Sequence, residues 1–497
     1  MENAISLFVK RPRTSLHIGF FRLSVYDGMR THIRWGFGEM ANDKTKDMTK
    51  GGITKALLMF ALPILIGDLF QQMYSIVDTI IVGRLLGVNA LAAVGATGSL
   101  TFMVIGFVQG IATGFSIITS QEFGAYSAGL SDESHIRQSI WTSSVLGVII
   151  TVILTAISLA LCLPMLRIMN TPQDIIRDSN LYLSIIFGGI FATMYFNIMA
   201  ARLRALGDSR TPLVFLIVSS VLNIVLDILF IAAFHMGVDG AAYATVLAQL
   251  ISAVGCHIYS VKVFNLLKYK VTQIRTNLKD CIRHLKTGFP MALQFSITAI
   301  GVMIMQRYLN GFGPVAIAGF TASSRIQSIM NSGFFDFGVS LSTFCGQNLG
   351  AGQLDRIRKG VFKVLWMGLI LCVVSAATLW IFGKQLIALF VTDVTDELIE
   401  YAYVYIKIAS VCYPLLHILV LYRNALQGLG NAFVPMLGGG IELGTRALLT
   451  GPLTKAFGYI GVCIADPAAW VLSSLVLALT YMAWLNKTKR NGLSKLH

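Results

Sequence analysis

Phe60-Ala61-Leu62-Pro63 opens an apolar stretch that closes on Gly87-Val88-Asn89-Ala90-Leu91-Ala92-Ala93. Thr287-Gly288-Phe289-Pro290 opens a matching stretch that closes on Gly313-Pro314-Val315-Ala316-Ile317-Ala318-Gly319. Further along, Gln121-Glu122-Phe123-Gly124-Ala125 recurs as Gln347-Asn348-Leu349-Gly350-Ala351. Ala205-Leu206-Gly207-Asp208, followed by Pro212, recurs as Gly428-Leu429-Gly430-Asn431, followed by Pro435. The landmarks return in one order at nearly constant separation. Two halves on a single plan, in an apolar chain, is how many secondary transporters are built.

Composition places that plan in a membrane. Apolar residues make up 55% of the chain and charged residues 13%, both far from a soluble average. Stretches of spanning length, each near the ~20 residues a span requires, follow one another from Leu57 to Leu485. The expected fold is all-α and integral to the membrane, with twelve transmembrane helices in two six-helix lobes. Six spans is an even number, so both halves enter the bilayer in one orientation. A pseudo-two-fold axis along the membrane normal then relates them. The expected division is a basic amino-terminal extension at 1–51, a first lobe at 52–266, a cytoplasmic linker at 267–285 and a second lobe with a short tail at 286–497.

The net charge of +15 follows topology. Lys262, Lys268, Lys270, Arg275, Lys279, Arg283 and Lys286 fill the central loop. Arg202, Arg204 and Arg210, then Arg356, Arg358, Lys359 and Lys363, then Lys487, Lys489 and Arg490 mark other loops on the same side of a twelve-span chain. An opposite loop carries Asp393, Asp396, Glu397 and Glu400. The positive-inside rule puts both termini in the cytoplasm of a cell-membrane protein, and no nucleic-acid partner is implied. The seven cysteines are scattered, without metal-ligand or redox spacing, and read as packing residues.

An ionisable group at bilayer depth is unfavourable by roughly 3 kcal/mol on insertion scales, so each one needs a reason. Asp78 lies late in the first span and Asp227 midway through the fifth, four residues after Asn223 on the same helix face. Thr245 sits early in the sixth span, and Tyr182 and Asn197 are polar positions on the fourth. Gln71 shares the Asp78 face, seven residues earlier. Grouped inside one lobe, Asp78, Asn223, Asp227 and Thr245 offer only oxygen-rich ligands, suited to Na+ or to a proton shared by two carboxylates. Asp68 is about 80° round the first helix from Asp78 and faces elsewhere, toward a central substrate cavity, with Asp336 a second cavity candidate. The second half does not copy the site: Met305 stands opposite Asp78, Arg446 opposite Asn223 and Thr450 opposite Asp227. It carries instead Glu442 and Arg446, four apart and suited to pairing. Pro63 and Pro290 each remove a backbone donor from the first helix of a half and mark a bend.

These motifs together resemble the multidrug and toxic compound extrusion family of cation-driven antiporters. The carriers are Pro63 with Val77-Asp78-Thr79, the Gln121 and Arg204-Ala205-Leu206-Gly207-Asp208 motifs, Asn223-Ile224-Val225-Leu226-Asp227, and Gly237-Val238-Asp239-Gly240-Ala241-Ala242. The likeness runs from about residue 52 to 486. It implies two six-helix lobes in a V and exchange of cationic or amphipathic small molecules for Na+ or H+. It also implies a first-lobe cation site at positions matching Asp78, Asn223, Asp227 and Thr245, with Tyr182, Asn197 and Gln71 nearby. Some members carry an acid in the seventh span, where this chain reads Ala292-Leu293-Gln294-Phe295-Ser296.

The reading expects a monomer in contact with membrane lipid, without cofactor or enzymatic activity. A flippase for lipid-linked precursors is the alternative, and it demands a cationic cavity for pyrophosphate. A membrane-embedded enzyme is the remote third, since no His-Glu-x-x-His pair, phosphate loop or convincing nucleophile occurs.

Overall fold

The computed structural model describes residues 47–268, 277–391 and 395–491, with side chains to Thr488. Most of the expected extension, the centre of the expected linker and Asp393 lie outside those residues. The described first half builds α1 (Ile53–Leu86), α2 (Val88–Ser127), α3 (Glu133–Ile168), α4 (Ile176–Gly188), α5 (Ile190–Ala205), α6 (Arg210–Asp227) and α7 (Val238–Val263). The second builds α8 (Leu278–Leu309), α9 (Pro314–Gly350), α10 (Leu354–Phe390), α11 (Asp396–Val411), α12 (Tyr413–Gly428), α13 (Phe433–Phe457) and α14 (Tyr459–Asn491). No strand occurs among the described residues. Helix α8 begins at Leu278, inside the segment expected as linker.

Among the described residues, eight helices are long and apolar enough to cross a bilayer alone. The expected fourth and tenth spans are each a bent pair, α4 with α5 at 45° and α11 with α12 at 53°. Pro414 opens α12 and cannot donate to the preceding turn, so the ladder breaks at Cys412. Helices α9 and α13, at 37 and 25 residues, have spanning length but carry buried Asp336, Glu442 and Arg446. Counting them gives the twelve spans the sequence implies.

The repeated motifs mark repeated backbone geometry. Gly87 and Gly313 turn the chain from first to second helix of each half at φ of 87° and 86°, a region where a side chain is strained. After the second motif, Asp208 Oδ1 accepts from Arg210 N at 2.9 Å and Thr211 N at 3.1 Å, capping the start of α6. Asn431 does the same before α13, accepting from Val434 N at 3.3 Å.

Each lobe's first helix starts in the core of the other. Ile53, Leu57 and Phe60 of α1 are buried among Phe334, Phe344 and Val364 of the second half. Beyond Pro63, Gly67 faces Leu213 and Leu216 of α6. Reciprocally, Leu285 and Ala292 of α8 pack among Val108, Ile111 and Phe115 of α2, before Gly301 reaches Arg446 of α13. The two prolines therefore sit where a helix passes from one lobe to the other.

At the end of the bundle that carries the arginine-rich loops, hereafter the basic face, the lobes close on each other. Gln121 donates to the Gly428 carbonyl at 3.2 Å, and its repeat partner Gln347 donates to the Ala205 carbonyl at 2.8 Å. These carbonyls occupy equivalent places in the two halves. Arg283 of α8 adds an ion pair to Glu122 of α2.

A short strap also bridges this face. Met48, 1% exposed, donates its N–H to Gln347 Oε1 at 2.9 Å, and Arg356 donates to the carbonyls of Met48, Lys50 and Gly51. Asp47 accepts from Ser127 Oγ, at the end of α2. Burial pushes the Asp47 carboxyl up, but hydrogen bonds from Ser127, Thr49 and Lys50 outweigh it and hold it below the usual carboxylate range. A carboxyl whose bound value lies below its free value stabilises docking at neutral pH and loses that contribution only as acid protonates it. Asp47→Ala should therefore loosen the strap by about 1 kcal/mol after solvent screening, roughly fivefold. Hydrogen exchange at residues 47–51 at neutral pH should speed accordingly.

Candidate functional site

Helices α1, α6 and α7 bring four polar side chains to one place inside the first lobe. Asp227 is fully buried, Asn223 is buried and Asp78 half-buried. The two carboxylates lie within hydrogen-bond reach of each other. Asn223 holds the arrangement through its amide. Turned with nitrogen toward the acids, it donates to Asp227 Oδ2 at 3.0 Å and to the Tyr74 hydroxyl at 2.7 Å. Its oxygen then accepts from the Thr245 N–H at 3.0 Å and hydroxyl at 3.2 Å. The reverse orientation would set that oxygen against acceptors alone.

Two oxygens remain without a partner. Asp78 Oδ1 and Asp227 Oδ1 are buried and accept from no described group. Two carboxylates at this separation, with unused oxygens and no basic side chain bonded to either among the described residues, need a positive charge between them. A proton or a small hard cation meets that need. Asp227 is also the last α-helical residue before a wider π-turn at Ile228–Ala233, a feature common beside functional groups.

Tyr182 of α4, half-buried, lies close enough to feel both carboxylate charges. Tyr74, absent from the sequence candidates, belongs to the site as well. It precedes Asp78 by one helical turn, a spacing that could have singled it out. Asn197 and Gln71 are not drawn in. Asn197 donates to the Thr193 carbonyl of its own helix at 2.8 Å, and Gln71 is exposed.

The second lobe has a different polar centre. Glu442 pairs with Arg423 of α12 and stands 3.7 Å from Arg446, while Arg446 Nε meets Asp466 Oδ1 of α14 at 2.7 Å. The expected Glu442–Arg446 pair is thus the middle of a four-member chain, two positive and two negative, joining α12, α13 and α14. Gln294, within the seventh-span stretch that lacks an acid, accepts from Gln427 at 2.9 Å. Arg446→Met would strand the partly buried Asp466, and breaking a buried pair is destabilising by about 3–5 kcal/mol, an upper range here. Thermal unfolding of the purified variant should show a clearly lower midpoint.

Asp68 and Asp336, separate candidates in the sequence, stand within hydrogen-bond reach of each other where α1 crosses α9. Apart from these groups, a cavity of ≈ 1010 Å³ lies beside α3, α5 and α7, lined by Trp141, Phe191, Tyr195 and Met194 among others. It contains none of the four first-lobe residues.

The MatE family profile matches residues 63–229 and 290–450, one match in each repeated half. The chain belongs to the MatE family. MatE proteins are transporters, not enzymes, and this one is embedded in a membrane by its many spans. A probable multidrug resistance protein, YpnP of Bacillus subtilis (strain 168), is 29% identical over 442 residues, covering 88% of this chain and 97% of that one. The probable multidrug resistance protein NorM of Thermotoga maritima is 26% identical over 441 residues, covering 87% and 92%. A crystal structure of MATE in complex with MaL6 shares the MatE fold, with a TM-score of 0.82 at 20% identity over 90% of this chain and 100% of that one.

Proposed function

We propose that this protein exports cationic or amphipathic small molecules across the cell membrane by antiport against Na+ or H+, with both termini in the cytoplasm. The observation that carries the reading is the Asp78–Asp227 pair with its two buried, unpartnered oxygens. The multidrug names of the relatives support the substrate class.

In the proposed cycle the molecule works as a monomer among lipids, with the repeat halves 52–266 and 286–497 as its two lobes. An ion enters from the face opposite the basic one and binds at Asp78, Asp227, Asn223 and Thr245. Binding draws α1 toward α6 and α7, and the lobes then move about the crossings at Pro63 and Pro290. Ion and substrate must favour different states, because a ligand that binds both states equally shifts nothing. The flippase alternative lacks its cation: Arg446, the arginine it would use, is engaged by Glu442 and Asp466.

The test is reconstitution into vesicles with a Na+ gradient or a proton gradient imposed separately, following transport of a fluorescent organic cation. One gradient should drive transport against the substrate's own gradient. Transport under neither would overturn the proposal.

A further inference from the structure

Asp68 and Asp336 come from opposite lobes. Helices α1 and α9 run antiparallel across the divide. Ser340 Oγ donates to the Leu57 carbonyl at 3.1 Å on the basic side of the acids, and Gln72 donates to Ser328 Oγ at 3.0 Å on the other side. Between these two bonds the carboxylates meet. Asp336 is 2% exposed, and its Oδ2 accepts from no described group although Asp68 faces it. Arg204 of α5 is the nearby positive charge for both acids, with Cys256 of α7 beside it and Asp208 beyond. Two negative charges and one positive leave a net negative charge in a buried seam, which one added proton would cancel.

The repeat supplies a control. Carried across by the landmarks, Asp68 corresponds to Phe295 and Asp336 to Gly110. There, at the equivalent crossing of α2 and α8, Phe295 packs on Gly106 and Ala292 lies directly against Gly110. At this position, then, apolar packing fills one of the two seams. A facing pair of acids closes the other, although buried acids are unfavourable unless something sits between them.

We propose that Asp68 and Asp336 form a second proton site, shared between the lobes, that exists only while the basic face is closed. A proton held between them latches α1 to α9. When the lobes part at this face the carboxylates separate into water, the shared hydrogen bond breaks and the proton is released there. No bond other than that hydrogen bond is made or broken. The inference rests on the transport cycle proposed above, but the site is distinct from Asp78 and Asp227.

The two are separated by experiment. Nitroxides are placed on Leu130→Cys and Lys359→Cys, exposed positions on the basic face of the two lobes, with Cys281→Ala and Cys412→Ala removing the half-buried thiols. Inter-lobe distances are measured in lipid nanodiscs from pH 5 to 9, in an Asp78→Asn background that silences the first-lobe pair. The short-distance, closed population should dominate at low pH and fall up to tenfold per pH unit through the transition, as loss of one proton requires. Adding Asp336→Asn should fix the closed population at every pH, because the amide keeps the hydrogen bond and cannot lose a proton. Asp68→Asn should do the same, and reads the proposal if the Asp336 variant fails to fold. An unchanged pH response in either double variant, or no response in the Asp78→Asn background, overturns the latch. The antiport proposal is judged by the vesicle assay alone and stands or falls separately.

Discussion

Asp78→Asn should reduce gradient-driven efflux to the level of empty vesicles while leaving the protein folded and still able to bind substrate. The amide is nearly the shape of the acid. It can donate a hydrogen bond to Asp227, so a role limited to tying α1 to α6 would survive the change. It cannot carry the charge that retains a cation, nor exchange a proton with Asp227. Asp227→Asn should give the same phenotype for the same reason. The discriminating measurement combines vesicle efflux under each gradient with equilibrium binding of the fluorescent cation to purified protein. Efflux unimpaired in both variants would make the pair a structural tie and remove the ion from the mechanism. Thr245→Ala tests the neutral side of the site. It removes one hydroxyl and no charge, so efflux should persist at a higher half-saturating ion concentration.

Much of this site was legible in the sequence, because an isolated acid in an apolar span has few uses and Asn223 and Asp227 share a helix face. The repeat likewise showed two halves of one plan, since period and order need no coordinates. What stayed hidden depends on distance along the chain. Asp68 and Asp336 read singly as cavity candidates, and only the crossing of α1 with α9 makes them a pair. Arg423 and Asp466 were missed for the same reason: Arg423 is the lone ionised charge of α12 and Asp466 the lone acid of α14, and their partners lie on other helices. Spacing suggested Glu442 with Arg446, yet packing gave each a nearer partner. Periodicity also did not show that α1 and α8 begin in each other's lobes. An apolar face is the same whichever core receives it.

The glycines of the repeated Gln-x-x-Gly motif should give the second large effect. A side chain on Gly124 would overlap the carbonyl of Gln347, and one on Gly350 would overlap the carbonyl of Gln121. Both obstacles are backbone, so no rotamer change relieves them; α2 and α9 must move apart. Overpacking of this kind is destabilising by about 1–3 kcal/mol at each site. Here it falls only on the closed state of the basic face, so Gly124→Ala alone should shift the closed-to-open ratio roughly 5- to 150-fold. Gly124→Ala with Gly350→Ala should shift it further and stop transport, because one half of the cycle is lost. Gly98 lies on the same helix α2 with open space around it, so Gly98→Ala should leave both the ratio and the transport rate unchanged. The inter-lobe distance at Leu130 and Lys359 is the readout. If both motif variants keep the short distance and full transport, the two crossings are not the gate. In that case the hydrogen bonds from Gln121 and Gln347 to the opposite lobe would have to close this face without them.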